Sequence, residues 1–152
     1  MARLEVPVAL RWSDLDPYGH VNNVALLTLL EEARVAAFWA GGPSPLPTAV
    51  LDAGPGATTS TVIVRQEVEY LRPLLYQRSP VVVRLWVGAL AAASLDVYYE
   101  VVCADGRVVT RAVTTVALVD AATGSPRRLT SAEREAWAPY VDEPVAMRRH
   151  SR

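Results

Sequence analysis

The chain has 152 residues, a formal net charge of −1, 51% hydrophobic residues and 20% charged residues. That length suits one domain with a real core and is cramped for two. The near-neutral charge removes the bulk-charge argument for a nucleic-acid partner. All 15 basic residues are arginine, which reads first as genome composition, although arginine also suits phosphate recognition.

Residues 4–12 read as a first strand, and the Asp-, Pro-, Gly- and Asn-rich residues 13–23 as a polar loop. Residues 24–40 read as a helix of good helix formers, with Thr28, Glu31 and Glu32 near one polar stripe. A helix this apolar must be buried on most of its circumference, and Gly41-Gly42-Pro43 ends it. The connection 41–60 is long enough to hold a short helix or border a site.

Four strands follow, near 61–73, 80–90, 93–103 and 107–120. Val81, Val83, Leu85 and Val87 alternate with neighbours that include Arg84, and Leu95, Val97, Tyr99 and Val101 alternate with Asp96, Tyr98 and Glu100. A period of two marks strands with one protected face. Asp105-Gly106 is a hairpin turn, and Thr130 with Glu133 fits the capping box of a short C-terminal helix. The domain is expected to span 1–143, with 144–152 a disordered tail carrying Arg148, Arg149 and Arg152. A lone sheet of five strands around one apolar helix leaves much of its other face bare, so a homo-oligomer, dimer or tetramer, is expected.

The lone cysteine, Cys103, excludes an intrachain disulfide and reads as a small buried hydrophobe. The start of the chain does not read as a signal peptide, because Glu5 interrupts it. No apolar run has membrane-spanning length. The expected compartment is the cytoplasm, without membrane insertion. With only His20 and His150 in the chain, no metal is expected, and no cofactor either.

The informative stretch runs Arg11-Trp12-Ser13-Asp14-Leu15-Asp16-Pro17-Tyr18-Gly19-His20-Val21-Asn22-Asn23. It is a strand end, a turn and a helix start, with Asn22 or Asn23 a fitting N-cap. Free amides at a helix start can polarise a carbonyl or hold an oxyanion. A carboxylate beside them can attack a thioester or activate a water. On spacing alone the plainer reading leads: Asp14 and Asp16 as turn residues and the asparagines as a cap.

The run from Asp14 to Asn23, followed by Glu31-Glu32-Ala33-Arg34, resembles the acyl-CoA thioesterases of the 4-hydroxybenzoyl-CoA thioesterase superfamily. Tyr70-Leu71-Arg72-Pro73-Leu74 and Ser94 resemble later strands of the same family, and the likeness covers roughly residues 4–140. The resemblance implies an α+β hotdog fold: a five-stranded antiparallel sheet wrapped around one long central helix, here with a short C-terminal helix. It implies dimers joined sheet edge to sheet edge, with active sites at their interface. It selects Asp16 as the catalytic carboxylate and places the oxyanion donor at about Asn23 or Val24. Gly19, His20, Val21 and Asn22 complete the oxyanion and substrate-binding segment, with Gly19 allowing the turn and His20 orienting the loop ahead of the alternative of touching the thioester. The implied reaction is hydrolysis of an aliphatic acyl-CoA in fatty acid metabolism.

The sequence departs from the family in three places. Leu26 stands where relatives often carry an aromatic residue. The hairpin 88–93 has no charge, so CoA needs other holders, for which Arg72, Ser94, Arg127 and Arg128 are candidates, or the carrier is acyl carrier protein. The tail after Pro144 has no family counterpart. Glu31 or Glu32 could supply a helix carboxylate, as in another hotdog branch, but pairing with Arg34 is the simpler role. Trp86 and Tyr98 are placed at a subunit contact. A non-catalytic acyl-thioester-binding protein is the competing function; a hotdog dehydratase is disfavoured, because His20 alone does not supply that arrangement.

Overall fold

The computed structural model describes residues 2–148. Strands β1 (Leu4–Val8), β2 (Thr59–Tyr70), β3 (Val81–Val87), β4 (Ser94–Val102) and β5 (Val108–Asp120) form one antiparallel sheet in the order β1-β3-β4-β5-β2. The 16-residue helix α1 (Asn23–Phe38) packs on its inner face, and the short α2 (Ser131–Trp137) closes one end. This is the expected hotdog arrangement.

The two-residue period explains the layering. Val81, Val83, Leu85 and Val87 on β3 and Leu95, Val97, Tyr99 and Val101 on β4 are buried in the main core, with Leu85 opposite Tyr99. Leu26, Leu29, Leu30, Ala33 and Ala37 on α1 are buried in the same cluster. Leu30, Ala33 and Ala37 have no exposed surface, and the two alanines let the helix lie close to the sheet.

Several expected boundaries move for identifiable reasons. The first strand ends at Val8, because Trp12–Asp14 form a 3-10 turn. The helix ends at Phe38 rather than 40, because Trp39 turns extended and bridges Leu51. The long connection contains no helix. Its Thr48 is fully buried and donates to the Ala37 carbonyl at 2.6 Å, which satisfies an end-of-helix acceptor. The Thr48 carbonyl in turn accepts from Trp137 Nε1 at 2.9 Å. This loop therefore joins the C-terminal end of α1 to α2.

Three further expectations are corrected. Residues 144–148 are not a free tail. They lie on the outer face of the sheet, where Val145 is buried against Trp86 and Tyr98. Trp86 Nε1 donates to the Glu143 carbonyl at 2.8 Å, Arg111 to the Ala146 carbonyl at 3.2 Å, and the Arg148 amide to Glu69 at 2.6 Å. Residues 149–152 lie outside the described residues. Trp86 and Tyr98 are therefore covered by the chain's own C-terminal segment rather than left for a subunit contact. Arg34 pairs with neither Glu31 nor Glu32: it is buried and donates to the Tyr99 hydroxyl at 3.1 Å. Cys103 is half-buried, not core, and its thiol donates to Asp105 at 2.8 Å in the β4–β5 hairpin.

Candidate active site

Two aspartates two residues apart have opposite surroundings. Asp14 is 1% exposed, and both its oxygens are engaged: Oδ2 accepts from the Arg11 amide at 2.7 Å and Oδ1 from the Arg11 guanidinium at 3.0 Å. Its main-chain carbonyl accepts from the Asn22 amide at 2.7 Å. Asp14 thus ties the end of the first strand segment to the start of the helix.

Asp16 sits at the base of a small closed loop. Its amide donates to the His20 carbonyl at 2.8 Å, and its carbonyl accepts from the Gly19 amide at 3.1 Å. Gly19 has φ +77°, a left-handed conformation that lets the loop close without a side-chain penalty. Asp16 Oδ1 accepts from the Tyr18 amide at 2.9 Å and the His20 amide at 3.2 Å. These bonds fix the carboxylate, and Oδ2 has no hydrogen-bond partner among the described residues. The loop is docked on the segment after β2 through Val21 N–H to the Leu74 carbonyl at 2.7 Å and a His20–Leu75 bridge.

The helix start follows directly. Asn22 is the N-cap, and its Oδ1 accepts from the Val24 amide at 2.8 Å and the Ala25 amide at 3.4 Å. The Val24 amide, one of two positions expected to donate to an oxyanion, is therefore engaged by the cap. The Asn23 amide has no acceptor among the described residues. Tyr70 at the end of β2 donates its hydroxyl to the Asn23 carbonyl at 3.1 Å, and partial burial pushes its phenol pKa up.

Asp16, His20, Val21, Asn23 and Arg72 all border one cleft of about 220 Å³. Its remaining walls are Leu26, Tyr70, Leu71, Pro73, Leu74 and Thr110. Tyr70 stood in the sequence only as the start of the Tyr70–Leu74 run and Thr110 not at all, because their nearness to Asp16 depends on the β2–β5 register that sets them opposite each other. A larger groove of about 670 Å³ continues past His20 and Arg72, between residues 73–77 and the hairpin bearing Arg107. Arg107 is already held by Asp105 at 2.8 Å, whereas Arg72 has no carboxylate within ion-pair distance among the described residues.

The other expected carrier-binding residues lie elsewhere in the chain. Ser94 starts β4 opposite Ala117. That is seven residues along β5 from Thr110, or about 24 Å at strand spacing. Arg127 bonds Glu133 at 2.6 and 2.9 Å and Thr59 at 3.0 Å, and also reaches the carbonyl of Arg128. Glu31 and Glu32 are exposed on α1 and do not border the Asp16 cleft. Among the described residues, no group of three or more His, Cys, Asp or Glu could hold a metal ion.

The thioesterase-like superfamily model matches residues 10–147. The chain belongs to this superfamily. A solved thioesterase from Thermus thermophilus, complexed with coenzyme A and zinc, is 30% identical, with a TM-score of 0.69 over 93% of this chain and 96% of that one. A protein of Bacillus stearothermophilus predicted to be a thioesterase aligns at a TM-score of 0.76 over 95% and 100% of the two chains, with 22% identity. The DHNA-CoA thioesterase of Staphylococcus aureus gives a TM-score of 0.72 over 91% of each chain at 18% identity. The last two likenesses speak to the fold alone. Among curated protein sequences, none matches this chain. Family membership assigns thioester hydrolysis as the general chemistry. Among the described residues, no helix is long and apolar enough to cross a membrane.

Proposed function

We propose that the chain is a cytoplasmic acyl-CoA thioesterase in which Asp16, as nucleophile or general base, drives hydrolysis and the Asn23 amide receives the oxyanion. One observation carries the reading: of the two loop aspartates, only Asp16 borders the cleft, with a free carboxylate oxygen and an unengaged helix-start amide on the same cleft. A fixed donor aimed at developing charge, in a site walled by apolar side chains, is the arrangement that favours a tetrahedral intermediate over the ground state. The leucines around it suit an aliphatic acyl group, as in fatty acid metabolism.

The carrier enters through the groove past His20, where Arg72 is the available cation for a phosphate. The 30% identical Thermus protein binds coenzyme A, which supports CoA as the carrier. The uncharged hairpin Gly88–Ala93 supports the second reading, acyl carrier protein, which presents the same thioester on a protein arm.

The active unit is a homodimer joined through β2. This strand is 12 residues long, pairs only with β5, and exposes Val62, Ile63 and Val64. A long edge strand with an exposed apolar stretch is a template for pairing. Antiparallel pairing of β2 with its copy about its middle sets Tyr70 against the partner's Thr59. That brings the partner's Arg127 and Arg128 toward the cleft.

The test is hydrolysis of acyl-CoAs from acetyl to palmitoyl, plus benzoyl types, followed by free-thiol release. Asp16→Asn is expected to lose at least about 10²-fold in rate, the scale of a removed acid–base group. Wild-type rates no higher than those of Asp16→Asn on every ester would end the enzyme reading for CoA substrates.

A further inference from the structure

Four threonines are buried, and three have partners. Thr48 donates to the Ala37 carbonyl, Thr59 accepts from Arg127, and Thr114 donates to Gln66 at 3.2 Å. Thr110 is the exception. It is 1% exposed, and its hydroxyl has no hydrogen-bond partner among the described residues. Folded proteins pair their buried hydroxyls, so an orphan calls for a reason. Thr110 also borders the Asp16 cleft, from β5 beneath the helix start.

We propose that Thr110 positions the attacking water and that Asp16 acts on that water as general base. This rests on the thioesterase reading above and sharpens it. Three residues bordering the cleft each carry a polar group without a partner among the described residues: Asp16 Oδ2, the Asn23 amide and the Thr110 hydroxyl. The other walls include Val21, Leu26, Leu71 and Leu74. A water held in such a place needs at least two polar partners. It donates one hydrogen to Asp16 Oδ2 and accepts the Thr110 hydroxyl hydrogen. Its remaining lone pair faces a carbonyl whose oxygen lies on the Asn23 amide. The hydroxyl itself is buried. A turn about χ1 exchanges it with the near-isosteric methyl and brings it to the cleft side.

The step balances. The water oxygen bonds to the acyl carbon as its proton moves to Asp16, and the carbonyl electron pair moves to the oxygen held by Asn23. Collapse breaks the carbon–sulfur bond, and the thiolate leaves with the proton returned by Asp16.

Thr110→Val keeps the shape and removes the hydroxyl; Thr110→Ser keeps the hydroxyl. In the full-length chain with an acyl-CoA, Thr110→Val is expected to lower kcat by about 10²-fold, the scale of a misplaced reacting group. KM stays unchanged, and Thr110→Ser restores most of kcat. Because the hydroxyl bonds nothing in the protein, Thr110→Val melts no lower than wild type. A single turnover in 18O-labelled water puts the label in the acid product and none in the Asp16 peptide. Wild-type kcat in Thr110→Val, a lowered Tm that Thr110→Ser repairs without any change in kcat, or label in Asp16 would each overturn the proposal. If hydrolysis depends on Asp16 but not on Thr110, this inference alone falls. If no Asp16-dependent hydrolysis exists, the thioesterase reading falls with it.

Discussion

Replacing Asp14 and Asp16 separately by asparagine should split stability from turnover. Asp14 is buried, with one oxygen on the Arg11 amide and the other on the Arg11 guanidinium. Asparagine keeps one acceptor and turns an NH2 group toward a donor. The lost hydrogen bond is charge-assisted, a class worth about 1.5–3 kcal/mol. For a domain of this size each kcal/mol moves Tm by roughly 2–4 °C, so Asp14→Asn should melt about 3–12 °C lower. Asp16 is only half-buried. Its Oδ1 accepts two backbone amides, which an asparagine oxygen can also accept, and asparagine is itself a good turn residue. Asp16→Asn should therefore shift stability by no more than about 0.5 kcal/mol, the range of ordinary surface changes. Its hydrolysis rate should nevertheless fall at least about 10²-fold. Calorimetry and thiol release on the same preparations measure both. A folded Asp14→Asn without activity beside an active Asp16→Asn would reverse the assignment. A large Tm loss in Asp16→Asn would show that its carboxylate serves the loop rather than the reaction.

Three other outcomes are expected. Val62→Glu, at a residue 44% exposed, should leave the subunit folded but, in the proposed register, set a second carboxylate opposite Glu67 across the β2 edge; light scattering should show monomers, and activity should fall with the dimer. Burial pushes the Glu133 carboxyl up, but bonds from Arg127 and the Thr130 amide outweigh it and hold its pKa below the ordinary 4.5. A depressed carboxylate pKa stabilises the fold above the ordinary value and loses that contribution as pH falls through the folded pKa. Acid melting curves should therefore be steeper for wild type than for Glu133→Gln. Val145→Asp should cost at least about 1.5–3 kcal/mol, the value of burying a valine side chain, and should raise the solvent exposure of Trp86 in fluorescence quenching.

The layered fold was legible because β3 and β4 alternate cleanly and because α1 is too apolar to stand in water. The 14–23 loop was legible as a turn and cap; the choice of Asp16 over Asp14 as the proposed reacting group came from resemblance, and the structure adds that Arg11 occupies both oxygens of Asp14. What was hidden depends on long-range placement. Thr48 looks like any loop threonine until the helix end needs an acceptor filled. Val145 and Met147 sit in an arginine-rich, aperiodic tail, so nothing local marks them as the cover for Trp86 and Tyr98. Arg34 was given a carboxylate by proximity along the helix, whereas its direction takes it to Tyr99 across 65 residues of sequence. Thr110 had no signal at all, since an unpaired hydroxyl is a property of the packed state.

The same placements bear on the proposed homodimer. A sheet offers two edges and an outer face. The β1 edge is five residues long and contains Pro7, which has no amide to donate, so it is a poor template. The outer face is crossed by residues 143–148, which bond to Trp86, Arg111 and Glu69 and bury Val145 there. The β2 edge is 12 residues long and exposes Val62, Ile63 and Val64. Pairing there runs the two sheets on as one and carries the Arg127 end of each subunit toward the other's Asp16. Stacking of two such dimers through the outer face would first have to displace residues 143–148.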